Sequence, residues 1–166
     1  MKTLRTLLAA AAAALALAAC GDETPAAPPA PQAMSADAVG HYCGMVLNDH
    51  AGPKGQIFVR GRAGPVWFSS IKQVFAYTML PEEPKGLLAV YVNDMATAGA
   101  DGAPDPAVWI DARQAYYVIE GGYIGGMGAE DAMPFSDQAR AQDFARRHGG
   151  RVAAFSEVPE RYVFAQ

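Results

Sequence analysis

Residues 66–80 read VWFSSIKQVFAYTML and predict a strand, a serine corner and a helix in immediate succession. Residues 65–68 supply the β-branched and aromatic side chains that strands favour. Residues 70–80 carry side chains at the spacing of one buried helix face, and Pro81 ends the predicted helix. The side chains on that face are Ile71, Val74, Phe75 and Thr78.

The same corner recurs in the second half of the chain. Residues 133–136 read MPFS and lead into a predicted helix over residues 137–148, with Ser136 as its expected N-cap and Gly149-Gly150 at its expected end. Each corner has one predicted strand ahead of it and another after its helix. We therefore predict an α+β fold in which two similar ββαβ-type units, about 38–100 and 108–166, pack into one small domain.

Hydrophobic patterning places the other elements. Residues 96–107 are rich in Pro, Gly and Asp and predict a loop between the two units. The predicted strands cover about residues 42–48, 55–61, 65–68, 87–93, 115–120 and 151–156.

The first 19 residues are typical of a secretory signal peptide, with Lys2 and Arg5 ahead of an Ala/Leu run. Residues 17–20 (LAAC) resemble the bacterial lipobox, which implies that Cys20 becomes a lipidated N-terminus. Several acyl chains at roughly 0.8 kcal/mol per buried methylene make a stable anchor. Gly21 after the cysteine favours the outer membrane. Ordinary secretion without lipid is the alternative.

The charge balance excludes one class of function. Without Lys2 and Arg5 the chain has 11 basic and 17 acidic side chains, a net charge of −6, and no basic run that would indicate a nucleic-acid binder. Residues 87–92 (LLAVYV) are far too short to cross a bilayer. Residues 20–37 predict a lipid-bearing, proline-rich linker that reaches about 50 Å at ~3.1 Å per residue. Residues 38–166 are then the folded domain.

If Cys20 is lipidated, Cys43 is the remaining cysteine of the chain. In an oxidising compartment such a thiol indicates a partner disulfide or a reactive group, although a buried inert cysteine is also common. If residues 42–48 are extended, Cys43 and Met45 point to the same face. A thiolate and a thioether are soft donors, and soft donors select Cu(I).

Further soft donors lie in residues 125–135, GGMGAEDAMPF. The glycines around Met127 favour a tight turn with an exposed sulfur, whereas Met79 and Met95 are expected in the core. Met133 fits either role. The sequence has no C-x-x-C, C-x-x-C-H or H-E-x-x-H motif, which argues against dithiol redox chemistry, c-type haem and a zincin site.

These motifs together resemble those of the NosL family. The resemblance rests on C-G-M followed by N-D-H-A-G-P-K-G-Q-I, on the later M-G-x-x-x-x-M-P-F, and on the lipobox and proline-rich linker in the same order. It implies a lipid-anchored periplasmic chaperone that binds one Cu(I) and delivers it to apo nitrous oxide reductase, working with an ABC-type transporter complex. It also implies a pair of ββαβ units.

The resemblance also suggests the copper ligands. Cys43 of C-G-M is the expected thiolate and Met127 of M-G the expected thioether, with Met45 third and His50 as a less certain nitrogen donor. Asp49 is a possible orienting group for His50. His41 is a weaker candidate, and His148 is expected to place a favourable charge at a helix C-terminus.

Two other functions stay open at this point. Cys43 could be an enzyme nucleophile with His41 or His50 as its base, although no third orienting group is evident. Alternatively, Cys43 could join a partner protein through a disulfide, which a non-reducing gel would reveal. We expect no enzymatic activity.

Overall fold

The computed structural model describes residues 27–165. The predicted signal peptide, Cys20 and Gly21 lie outside this range. None of the described helices combines the length and hydropathy needed to span a bilayer.

The first unit is a four-stranded antiparallel sheet with one covering helix. Its strands follow the order β2-β1-β3-β4, so β2 and β3 flank β1 and run parallel to each other. Ser70 caps the helix by accepting a hydrogen bond from the Gln73 amide. The elements are β1 (Gly55–Val59), β2 (Val66–Phe68), α1 (Ile71–Met79), β3 (Leu87–Asn93) and β4 (Trp109–Asp111).

The second unit repeats this arrangement with three strands in the order β6-β5-β7. In each unit the phenylalanine of the corner pairs with the first residue of the first strand: Phe68 with Gly55, and Phe135 with Tyr116. The predicted pair of ββαβ units is therefore confirmed. The elements are β5 (Tyr116–Ile119), β6 (Met133–Phe135), α2 (Gln138–His148), β7 (Arg151–Ala154) and a short α3 (Glu160–Val163).

One hydrophobic core joins the two units. Phe75 of α1 is fully buried, and its ring centroid lies 4.9 Å from those of Tyr117 in β5 and Phe155 after β7. Burial of such a side chain stabilises the fold by about 1.5–3 kcal/mol. Met95 and Met133 are buried in a smaller cluster under α2, and Met79 packs against the main core. The core assignment of Met79 and Met95 is confirmed.

Two local predictions are wrong, and three short elements were missed. Residues 42–48 are not a strand: they form turns and the 3-10 helix Leu47–Asp49. Ser136 does not cap α2, because Asp137 accepts the Arg140 amide and Ser136 bonds Asp94 instead. The missed elements are the three-residue strands β4 and β6 and the four-residue helix α3.

The linker is partly attached to the domain. Gln56, fully buried in β1, exchanges two hydrogen bonds with the backbone of Gln32, and the Tyr91 hydroxyl donates to the Pro29 carbonyl. Residues 29–32 therefore lie against the first sheet and do not act as free spacer.

Candidate metal site

Cys43 lies at the tip of a closed loop, residues 39–46, which we call the Cys43 loop. A bridge between Val39 and Val46 closes it, and the Gly40 amide donates to the Met45 carbonyl across it at 3.0 Å. Gly44 has φ +64°, a conformation that glycine adopts without strain. The backbone thus turns between Cys43 and Met45, and strand alternation does not relate their side chains.

The Cys43 sulfur packs against the start of α1. Sγ lies 3.4 Å from Ser69 Oγ, and a Cβ added to Gly40 would lie only 2.5 Å from Sγ. Ser69 Oγ is in turn 3.2 Å from Gln73 Oε1. The thiol is partly exposed, so the loop presents a sulfur that is oriented by the fold and still open to solvent.

His50 follows the 3-10 helix Leu47–Asp49 and contacts the second unit. Its Nδ1 lies 3.2 Å from the carbonyl oxygen of Gly126, the residue before Met127. Nε2 is buried without a hydrogen-bond partner among the described residues. When Nδ1 carries the proton and donates to Gly126, Nε2 keeps its lone pair, which is the form that binds metals. The Gly126 carbonyl, and not Asp49, orients the imidazole.

Met127 occupies the loop of residues 123–131, which we call the Met127 loop. The Gly125 and Gly128 amides donate to the Ala129 and Gly125 carbonyls, and Ile124 bridges Glu130. Met127 is half-buried. A Cβ on Gly126 would collide with the Ala51 backbone, so only glycine allows the Met127 loop to pack this closely against the turn that carries His50.

Asp131 fixes the Met127 loop to the first unit. Its carboxylate accepts the backbone amides of Ile71 (3.0 Å) and Lys72 (2.8 Å), the first two residues of α1. Together with the Ser70 cap this satisfies the amides at the start of the helix. Because Ser69, beside Cys43, directly precedes this helix start, the Cys43 loop and the Met127 loop reach the same end of α1.

Burial changes the pKa values of two charged groups under these loops. Desolvation raises the pKa of Asp131 from 3.8 to about 6, against the effect of its backbone hydrogen bonds. Desolvation lowers the pKa of Lys54 from 10.5 to about 8, and the charge of Asp131 partly offsets this. Lys54 Nζ donates to the Ala51 and Gly52 carbonyls and so holds the turn after His50.

The other candidate donors lie in different surroundings. Met45 is 41% exposed, whereas Met133 is fully buried in the core. The His41 ring contacts Phe68 and Tyr77, and its Nε2 lies 3.5 Å from a Glu83 oxygen. Within residues 27–165, no three His, Cys, Asp or Glu side chains are grouped to hold a metal ion. The candidate donors are therefore one thiol, one imidazole and methionine sulfurs.

The NosL family model matches residues 31–163 of the chain. The chain belongs to the NosL family. Two curated NosL relatives are both named copper-binding lipoprotein NosL. The protein from Achromobacter cycloclastes is 42% identical over 161 residues, covering 96% of this chain and 82% of that protein. The protein from Stutzerimonas stutzeri is 36% identical over 120 residues, covering 72% and 61%.

Two solved NosL structures share the fold. The copper chaperone NosL from Shewanella denitrificans aligns with a TM-score of 0.73 and 29% identity, over 80% of this chain and 98% of that one. The solution structure of apo-NosL from Achromobacter cycloclastes aligns with a TM-score of 0.51 and 38% identity, over 68% and 90%. The predicted family and α+β fold are confirmed. The ligand assignments stay predictions.

Sequence reasoning missed four residues that shape the surroundings of the candidate donors. Ser69 contacts the thiol, Gly126 orients His50, and Asp131 and Lys54 hold the loops. Ser69 had a sequence signal, because it lies in the Phe-Ser corner that the repeat identifies. Gly126 and Lys54 lie in the motifs quoted around Met127 and His50, but those motifs do not give their roles. The roles of Gly126 and Asp131 depend on contacts between distant segments.

Proposed function

We propose that this protein is a lipid-anchored periplasmic chaperone, not an enzyme, that binds one Cu(I) and delivers it to apo nitrous oxide reductase. The observation that carries the proposal is the imidazole of His50. Among residues 27–165 its Nε2 is buried without a hydrogen-bond partner, while Nδ1 is held by the carbonyl next to Met127. Relatives named copper-binding lipoproteins and a relative named a copper chaperone support the choice of metal.

The donor set suits transfer better than storage. Cys43 provides the thiolate, Met127 the thioether and His50 a nitrogen, with exposed Met45 as a further sulfur. Soft sulfur donors favour Cu(I) over harder cations. A site of two or three ligands on loops leaves room for a donor from an acceptor protein, so copper can pass by stepwise ligand exchange. The same openness would serve loading by an ABC-type transporter complex at the membrane.

Ser69 has a specific part in this scheme. With a protonated thiol, S–H can donate to Ser69 Oγ, whose own hydroxyl hydrogen points to Gln73. When copper displaces the proton, the Ser69 hydroxyl can instead donate to the sulfur. Because the Cys43 thiol must lose its proton to bind copper, copper affinity should rise with pH.

The proposed ligands can be tested by competition. We expect the chain from residue 21 onward to take one Cu(I) from a colorimetric chelator. Met127→Leu and His50→Gln should each weaken binding about tenfold, or 1.4 kcal/mol, because each removes one donor. Glutamine at position 50 keeps an N–H for the Gly126 carbonyl. Met79→Leu is the matched control, since Met79 packs against the core. Equal affinity for Met127→Leu and Met79→Leu would rule out Met127 as a ligand.

Delivery can be tested separately. We expect the copper-loaded protein, mixed with apo nitrous oxide reductase in the presence of excess chelator, to restore the visible absorption of the reductase copper centres. Chelator-bound copper without the protein should restore less in the same time. If both mixtures restore the absorption at the same rate, the protein binds copper but does not deliver it to this enzyme.

A further inference from the structure

A cleft of about 730 Å³ lies between α2 and the segment that follows β3, outside the proposed copper ligands. One wall is the 3-10 helix Met95–Thr97 with the loop that follows it to Gly102, and the other is one face of α2. We call this the α2 cleft. Its volume is in the range of sites that hold a ligand or a few residues of a peptide.

The floor of the α2 cleft is aromatic and apolar. Phe144 projects from α2, and its ring centroid lies 5.3 Å from that of Phe135 and 6.3 Å from that of Tyr123. The His148 ring stacks on Phe144 at a centroid distance of 4.3 Å. Met95 is 6% exposed and belongs to the same cluster. These contacts hold the rings at the bottom of the cleft, where they can accept one apolar side chain.

The rim of the α2 cleft is basic in an otherwise acidic chain. Arg140, Arg146 and Arg147 line it and are exposed, whereas the whole chain has 13 basic and 17 acidic side chains. Asp143 lies 2.6 Å from Arg146 and 3.5 Å from Arg147 and balances only one charge. The local excess of positive charge is opposite in sign to the net charge of the protein, so it favours an acidic partner there.

The shape of the cleft favours a polypeptide over a lipid surface. Met95 and Phe135 are only 6% and 3% exposed, so a flat headgroup layer would contact little of the apolar lining. A flexible segment with carboxylates on either side of one apolar residue can reach both the floor and the rim.

We propose that the α2 cleft docks an acidic segment of a partner protein, with carboxylates at Arg140 and Arg147 and one apolar side chain over Phe144. This inference rests on the proposed function only in that copper delivery requires docking on another protein. Tyr123 lines the cleft, and its hydroxyl lies 4.0 Å from the Cβ position of Gly52, two residues after His50. A segment held in the cleft would therefore bring its own protein close to the metal site.

The test uses a synthetic probe and the copper-free chain from residue 21 onward. The probe is a labelled peptide with the order Glu-Glu-Phe-Asp-Glu, compared with the neutral peptide Gln-Gln-Phe-Asn-Gln. We expect the acidic peptide to bind more tightly at low salt and to shift NMR signals of residues 95–102 and 138–148. Arg140→Glu with Arg147→Glu should weaken binding about tenfold, since each charge reversal replaces attraction by repulsion. Arg60→Glu with Arg113→Glu, exposed arginines outside the cleft, is the matched control.

Three outcomes would overturn the proposal. They are equal binding of the acidic and neutral peptides, equal loss of affinity in the two double variants, and NMR shifts that lie outside the cleft. Co-sedimentation with phosphatidylglycerol vesicles that depends on Arg140 and Arg147 would instead identify a membrane contact. The copper competition is also measured on Arg140→Glu with Arg147→Glu. We expect its Cu(I) affinity to be unchanged, so a failure of peptide docking would leave the proposed copper binding intact.

Discussion

Cys43→Ser is expected to lower Cu(I) affinity by more than about 100-fold, or ~2.8 kcal/mol. Serine fills nearly the same volume and can keep the hydrogen bond to Ser69, so the Cys43 loop should retain its structure. What the substitution removes is the thiolate, the donor that Cu(I) prefers over a hydroxyl. The measurement is the competition with a colorimetric chelator, together with thermal unfolding of the copper-free protein.

The unfolding temperature is the control for this prediction, because it should stay nearly unchanged. Retained copper binding by Cys43→Ser would exclude the thiolate as a ligand. Cys43 would then be studied as a nucleophile or a disulfide partner. A higher band on a non-reducing gel that disappears in the variant would identify the disulfide. A loss of both copper binding and stability would indicate that the sulfur mainly supports the loop through its packing on Gly40.

The repeat was predictable from the sequence because local patterns encode it. Each unit carries its strand, corner and helix in one continuous stretch, and the helical spacing behind Phe68 and Phe135 is evident without tertiary information. The short strand β6 was less evident because Pro134 argues against a central strand. The structure resolves this, since β6 is an edge strand of its sheet, where proline is tolerated.

The shape of the Cys43 loop could not be predicted from alternation. The sequence around C-G-M includes Val39, Tyr42 and Val46 and is compatible with a strand. In the structure Gly44 adopts a positive φ, and the Gly40–Met45 hydrogen bond closes the loop. The candidate donors Cys43, Met127 and His50 could be named from their chemistry. How they are oriented depends on Ser69 and Gly126, which lie 26 and 76 residues from the groups they contact.

The two units are joined by reciprocal contacts from one carboxylate each. Asp94, which follows β3 in the first unit, accepts the backbone amide and hydroxyl of Ser136 at the second corner. Asp131, which precedes β6 in the second unit, accepts the first two amides of α1 at the first corner. Each aspartate satisfies polar groups that the other unit leaves open, so the packing of the two corners depends on both units being folded.

Asp131→Ala is expected to destabilise the protein by about 3 kcal/mol at pH 7, because it leaves the buried Ile71 amide and its neighbours without an acceptor. The loss should grow as the pH falls from 7 to 4. The pKa of Asp131 is raised from 3.8 to about 6, so its contribution to stability is greatest below 3.8 and declines as the pH rises through 6. At 1.36 kcal/mol per pKa unit, the additional destabilisation by Asp131→Ala at low pH approaches roughly 3 kcal/mol.

Guanidinium unfolding of wild type and Asp131→Ala at pH 4, 5, 6 and 7 measures this dependence. Lys54, whose pKa is lowered to about 8, stays largely charged in wild type over that window. Asp137→Ala is the matched control: Asp137 caps α2 through one hydrogen bond to the Arg140 amide and is exposed, so its loss should cost about 1 kcal/mol. If the destabilisation by Asp131→Ala instead shrinks toward pH 4, the amides of α1 lower the pKa of Asp131 more than burial raises it. The carboxylate would then hold the Met127 loop on α1 through its charge.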